Sequence, residues 1–366
     1  MSRRILFICG SIEPGKDGVG DYCRILATSL LKKGYKTEIV ALYDKNSKSA
    51  VSEKQEYNGI SVECLRIPRT FSFHKRRRYL KQRLFEFKPH WCSLQYVPYS
   101  FNPKGLPFEL IFLLKPFQNS TNWNIMFHEL QIALETKAKL KDKVIGQIQN
   151  ILYKSLIRLL KPKNVCTQSK LYQKILSAIT PSVYHLGLIS NINPIATPEF
   201  SVNRNQNLLN IAVFGGIQEN SKFELFLTWI QERANKKLNF LFIGNNGERA
   251  TNWKRQLKAK RVAFMESGFL KDLEISEWLN HCDIGIATTP YLTIDKSGAV
   301  AAMYKHKLPV YCIGRQWEVK GYEKSIINIP NIHEWHSNSN LNLNFQENPS
   351  FYNINRVTTQ LAEILR

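Results

Sequence analysis

Short apolar runs alternate with helix-spaced apolar positions along almost the whole chain. RILFICG (4–10) is an apolar run ending in glycine, and in 19–33 after it Tyr22, Ile25, Leu26, Ser29 and Leu30 recur at helical spacing. TEIVALY (37–43), SVECLRI (61–67), WCSLQYV (91–97), NIMFHEL (124–130) and NVCTQS (164–169) continue the strands, with helix-like segments between. This rhythm predicts a parallel sheet covered on both faces. It pauses at 190–207, a polar stretch rich in asparagine with linker composition. LLNIAVFGG (208–216), LNFLFIGNNG (238–247), VAFMESG (262–268), DIGIATT (283–289) and PVYCIG (309–314) then restart it. The expected architecture is α/β: two Rossmann-like, doubly wound parallel-sheet domains facing each other across a cleft. Their expected limits are 1–190 and 208–349, joined by a linker at 191–207. The segment 337–350 reads as a loop, and 350–366 as a terminal helix region that packs back on the first domain.

Composition narrows the class. At 366 residues, 43% hydrophobic and 22% charged, the chain is globular and long enough for two cores. Lys and Arg number 51 against 29 Asp and Glu, a formal charge of +22 that implies a negatively charged partner or surface. The seven cysteines form no CxxC pair and read as buried thiols in a reducing compartment. The apolar run after MSRR is too short for a signal peptide. Phe108–Leu114 and 238–243 fall far below the roughly 20 residues of a membrane span. A cytoplasmic protein is expected, with room for peripheral contact at the inner face of a membrane.

Four places carry candidate chemistry. The loop GSIEPGKDGVGDY (10–22) opens the first helix, and its glycines allow backbone N–H groups to approach a phosphate or sugar. It matches a dinucleotide fingerprint only loosely, and a plain turn is the alternative. Lys296-Ser297-Gly298-Ala299 lies at a strand-to-helix turn, where the N–H groups of Ser297 and Gly298 are expected to face an anion. Tyr291 stands where a Walker motif needs glycine, which excludes that motif. In Phe214-Gly215-Gly216 a strand ends in two glycines, and Lys222 follows at the start of a helix, suited to place an ammonium group beside a phosphate. His128 ends a strand of the first half, either facing the cleft or bonded structurally to backbone. No second histidine or carboxylate stands at metal-ligand spacing, so no metal is expected.

Five stretches together resemble the two-domain, GT-B-fold glycosyltransferases, and most of all the retaining family-four type. They are GKDGVGDYCRILATSLLKKGYKTEIVAL (15–42), MFHEL (126–130), FGGIQENSKFELFL (214–227), SGFLKDLEISEWLNHCDIGIATTP (267–290) and KSGAVAAMYKHKLPV (296–310). The resemblance implies a nucleotide-sugar donor used as substrate, a glycan or lipid-linked acceptor bound by the first domain, and no other cofactor. It implies that Gly18, Val19 and Gly20 touch the donor phosphates or the acceptor, and that His128 sits beside the transferred sugar. Lys222 would neutralise the leaving diphosphate, with Gly215 and Gly216 beside it; Ser297 and Gly298 would offer it backbone N–H groups, and Lys296 and Ala299 would border the same donor site. Gly268, Phe269 and Leu270 would hold the nucleotide base. The chain departs from the family in four positions. Gly216 replaces an arginine, Phe223 a glycine, and Ile294 and Ala302 two glutamates that reach the donor; Asp295, beside Lys296, is one position from the first of these. These departures open a second reading, a non-catalytic protein of the same fold that binds glycan or anionic membrane.

The positive charge concentrates in the first half. Segment 69–88 holds eight basic residues, Lys75, Arg76, Arg77, Arg78 and Lys81 among them, and 137–163 holds eight more. They form either a solvated helix face or a surface that docks on anionic membrane. Nucleic acid is not expected, because the strands lack interleaved aromatic residues for stacking bases.

Overall fold

The computed structural model describes residues 3–195 and 207–366, so most of the expected linker lies outside the described residues. The chain forms two compact units. The first runs through Gly187 and takes back Glu318–Gly321 and Ile354–Arg366; the second comprises Leu188–Trp317 and Tyr322–Asn353.

The first unit contains β1 (Arg4–Cys9), α1 (Gly18–Lys32), β2 (Lys36–Asp44), β3 (Val51–Tyr57), β4 (Ile60–Pro68), α2 (Phe73–Phe87) and β5 (Trp91–Tyr96). It continues with α3 (Pro98–Phe101), α4 (Phe108–Leu114), β6 (Asn122–Phe127), α5 (Leu140–Leu160), β7 (Asn164–Thr167), α6 (Lys170–Ser177) and β8 (Val183–His185). The strand order is β3-β4-β2-β1-β5-β6-β7-β8. All neighbours are parallel except β3 and β4. β1 lies between β2 and β5, with Phe7 opposite Ile39 on one side and Ser93 on the other. Helices cover both of its faces, so Ile5 to Cys9 are wholly buried and the strand reads as one apolar run.

The second unit contains β9 (Leu208–Phe214), α7 (Phe223–Arg233), β10 (Lys237–Ile243), α8 (Ala250–Ala259) and β11 (Ala263–Glu266). After these come α9 (Asp272–Asn280), β12 (Ile284–Ala287), α10 (Gly298–Lys305), β13 (Val310–Cys312) and β14 (Ile332–Glu334). Its sheet is wholly parallel in the order β11-β10-β9-β12-β13-β14. Numbered within the unit this is 3-2-1-4-5-6, the Rossmann order. α7 buries Phe223, Phe226, Trp229 and Ile230 on this sheet. Phe223 stacks flat on Trp253 with ring centroids 3.9 Å apart, so the residue that replaces the family's glycine fills the core. The last helix, α11 (Ile354–Ile364), belongs to the first unit. It packs on α1, and its C-terminal end accepts from Arg3 (2.6 Å, to Leu365 O) and from Asn164 Nδ2 (2.8 Å, to Ile364 O).

Three strands were not evident in the sequence: β3, β8 and β14. β3 is a polar edge strand, and β8 and β14 have three residues each. All seven cysteines are buried, and none forms a disulfide. Among the described residues no helix is long and apolar enough to cross a membrane.

Candidate functional site

In a sheet of this order, ligands bind beyond the carboxyl ends of the strands where the order reverses. In the second unit those strands are β9 and β12, and the loops after Phe214 and Ala287 define the candidate site. The chain turns at Gly215 with φ +82°, in the region that favours glycine. A Cβ added there would lie 3.0 Å from Ala299 Cβ, so this turn lies against the start of α10, while Gly216 has open space around it. Two residues not singled out from the sequence hold the turn. Asn246 Nδ2 donates to Val213 O and Gly215 O, both at 2.9 Å, and its backbone carbonyl accepts from Ile217 N at 3.1 Å. Thr288 Oγ1 accepts from Gln218 N at 2.9 Å and donates to Gly216 O at 3.2 Å. Asn246 shows in the sequence only as part of GNNG after a strand; Thr288 gives no signal beyond its place at a strand end.

Lys222 is the N-cap residue of α7, and its backbone N–H donates to Ile313 O at 2.8 Å. This bond ties the loop after β9 to the end of β13. The side chain is half-buried, and its ammonium has no ion pair or hydrogen bond with any described residue. Burial pushes the neighbouring Cys312 thiol up to about 12, and the Lys222 charge acts against that rise.

Ser297 caps α10, its Oγ accepting from Val300 N at 3.4 Å. The expectation for its backbone is corrected. A 3₁₀ turn over Tyr291–Lys296 closes on it, and the Ser297 N–H donates to Ile294 O at 3.1 Å. The amides left without a described partner are those of Gly298 and Ala299, one position further on. In the preceding turn Lys296 is half-buried, and Asp295 is buried, close enough to Tyr352 to add to the burial that raises its phenol. Ile294 and Ala302 are both buried in the core.

A pocket of about 290 Å³ opens beyond β10 and β11, lined in part by Asn245, Lys254, Glu266, Gly268 and Phe269. Gly268 turns at φ +68°, Leu270 is half-buried, and the Phe269 side chain is 89% exposed. Lys254 and Glu266 pair across the pocket at 2.6 Å. Neither was picked out from the sequence, where both read as ordinary surface charges.

In the first unit the order reverses between β1 and β5. A Cβ on Gly10 would fall 2.6 Å from Ser100, so the loops after these strands touch. Gly18, Val19 and Gly20 form the first turn of α1. The Asp17 carboxylate caps it, accepting from Gly20 N at 2.9 Å, and burial raises its pKa against that bond. A carboxyl group thus holds the place that a phosphate would take at this helix end. Gly20 packs with no room for a Cβ beside Ile12 and Ser11, and Gly18 is open. His128, one residue beyond β6, is 7% exposed. Its Nε2 lies 2.9 Å from Gln95 Oε1 and its Nδ1 3.1 Å from Gln168 Oε1, with the ring edge-on to Tyr22.

The basic face expected of α2 needs one correction. Lys75, Arg78 and Lys81 are exposed and Arg77 is half-exposed, but Arg76 is buried. It donates to Leu42 O (2.8 Å), Arg69 O (3.1 Å) and Phe71 O (2.9 Å), pairs with Glu109 and stacks over the Tyr43 ring. Arg76 is an interior strut that joins α2 to β2 and α4, and it meets no membrane.

Comparison with known proteins agrees with this architecture. No family model matches the chain, and no curated protein matches it in sequence. Solved structures do match in shape. Sucrose-phosphate synthase from Thermosynechococcus elongatus is similar with a TM-score of 0.56 at 11% identity, over 85% of this chain and 82% of that one. A glycosyltransferase from Rickettsia africae gives 0.53 at 13% identity, over 86% and 80%. A protein described as a UDP-N-acetylglucosamine 2-epimerase from Listeria monocytogenes gives 0.51 at 10% identity, over 100% and 88%. The fold is that of the GT-B glycosyltransferases, with two parallel-sheet domains.

Proposed function

We propose that the chain is a metal-independent glycosyltransferase that moves a sugar from a nucleoside-diphosphate donor to a glycan or lipid-linked acceptor, in polysaccharide or glycolipid synthesis. The observation that carries this reading is the convergence of three features where the second sheet reverses its order. They are the half-buried Lys222 at the start of α7, the Gly215 turn against Ala299, and the amides of Gly298 and Ala299 at the capped start of α10. Loss of a sugar from its diphosphate leaves negative charge on the departing phosphates. A helix N-terminus held in place before reaction stabilises that charge without reorganising, and a lysine whose backbone is tied beside it adds a positive charge within reach. The pocket beside Gly268 and Phe269 suits the base, with the exposed ring able to stack on it. On this reading the loop at Gly18–Gly20 and His128 serve the acceptor and the transferred sugar. Retention of configuration rests on the sequence resemblance to family four.

The test is turnover of a panel of sugar nucleotides, scored by product, with Lys222→Ala alongside. Sugar transfer with kcat reduced at least about tenfold in the variant supports the assignment. Undiminished turnover in the variant removes Lys222 from the mechanism. A free epimerised donor in place of a transferred sugar would point to the chemistry of the epimerase named above. The burial of Ile294 and Ala302, where the family has glutamates, favours a second reading, a non-catalytic binder of glycan. That reading predicts glycan binding with no consumption of donor.

A further inference from the structure

We infer that the outer face of α5 docks on an anionic lipid bilayer. The helix has 21 residues and is amphipathic twice over. One side buries Leu152, Tyr153, Leu156 and Leu160 in the first unit. The opposite side exposes three large aliphatic residues: Leu140 is 79% exposed, Val144 53% and Ile151 62%. At about 100° per residue these three fall within one narrow stripe. Lys143, Lys154 and Arg158 lie on or beside the same stripe. The helix carries a single acid, Asp142, which the same rotation places on the far side. α4 packs against α5 and exposes Phe108 and Phe112, while its acid, Glu109, is turned to the buried Arg76.

Three exposed aliphatic side chains in register on a rigid helix are uncommon on a surface that faces only water. A lysine-flanked aliphatic stripe without acids matches an interface of headgroups and acyl chains, where the ammonium groups meet phosphates and the stripe enters the apolar layer. The occupant is therefore an anionic bilayer, by charge complementarity with a chain of net charge +22. α2, the more basic helix, fits less well. Its one strongly exposed apolar side chain is Phe85, and its Arg83 is spent on Glu38 at 2.8 Å. Docking follows from this surface whether or not the second unit transfers a sugar.

The test uses the full chain and vesicles of phosphatidylcholine with or without phosphatidylglycerol. The seven native thiols are buried, so the single exposed thiol of Ile151→Cys takes an environment-sensitive dye selectively. The expected result is a blue shift in dye emission and co-sedimentation with the phosphatidylglycerol vesicles, both weaker on neutral vesicles. The triple substitution Leu140→Ser, Val144→Ser, Ile151→Ser should weaken co-sedimentation at least about tenfold with an unchanged circular dichroism spectrum. Lys75→Gln, Arg78→Gln and Lys81→Gln combined in α2 should leave the dye shift in place. An absent shift overturns the inference, as does vesicle binding indifferent to the triple substitution. Equal binding to neutral vesicles overturns the commitment to an anionic surface. A shift that follows protein concentration without vesicles identifies the face as a contact between two copies of the chain, and also overturns it.

Discussion

Lys222, Arg76 and His185 show how far the surroundings decide what a charged or titratable side chain does. Lys222 follows a glycine turn and opens a helix, and its ammonium has no described partner. Arg76 belongs to a basic run, yet four partners and an aromatic ring hold it inside. Arg76→Ala should destabilise the first unit by about 3 kcal/mol, chiefly by leaving three carbonyls without their donor and a void under α2, since Glu109 is exposed to water; chemical denaturation measures it. His185 is part-buried, with Nε2 2.9 Å from Gln168 O. Burial, aided by the Lys170 charge, lowers its pKa to about 4 from 6.5. A histidine that binds its proton less readily when folded supports stability above pH 6.5, and that support is lost as the pH falls toward 4. At pH 5 the loss relative to neutral pH should be about 1–2 kcal/mol. His185→Gln should flatten that part of the stability profile, and an unchanged slope would show the histidine to be no stronger than a surface one. The sequence displayed Lys222 because glycines and a helix start flank it. It hid Arg76, since a guanidinium inside and one outside are written with the same letter.

The elements that the sequence displayed are those buried on both faces. β1, β2, β9 and β10 read as apolar runs because helices cover each side of the sheet. β3 stayed hidden because its residues are polar and it lies at an edge. Its signal was the turn that joins it to β4, Asn58-Gly59, with both residues at positive φ (50° and 75°), a favoured hairpin pair. β8 and β14 are too short for any periodicity. The start of α10 was legible as a strand-to-helix turn before small residues. The 3₁₀ turn that takes up the Ser297 amide was not, since a helical turn of that length leaves no pattern. Two substitutions separate the cap from the anion site. Ser297→Ala should cost about 1 kcal/mol of stability by losing the cap. Ser297→Asp should keep the cap and the stability, and still weaken nucleotide binding by placing a carboxylate beside the phosphates. If both variants bind nucleotide as wild type does, the start of α10 is not the phosphate site.

Over the whole molecule, each unit gathers candidate residues at the place where its sheet reverses its strand order. In the second unit that place collects glycines, amides and a lysine. In the first it collects a carboxylate-capped loop, beside which His128 lies buried. The GT-B architecture was readable from the repeated strand–helix rhythm and from five motif stretches. The residues that shape the two candidate pockets were only partly readable: Phe269 was marked by the turn at Gly268, whereas Asn246 and Lys254 follow no spacing rule. The net charge of +22 is a property of the whole chain, and only the structure shows which helix combines it with exposed aliphatic residues. The central claim is that the reversal point of the second sheet holds a nucleoside diphosphate through Lys222. Its most direct test is the thermal stability of wild type and Lys222→Ala with a panel of nucleoside diphosphates and sugar nucleotides. A ligand at a hundred times its dissociation constant should stabilise the wild type by about 2.7 kcal/mol, and one nucleotide should do so while leaving the variant almost unmoved. Equal stabilisation of both proteins, or of neither by any nucleotide, would contradict the claim.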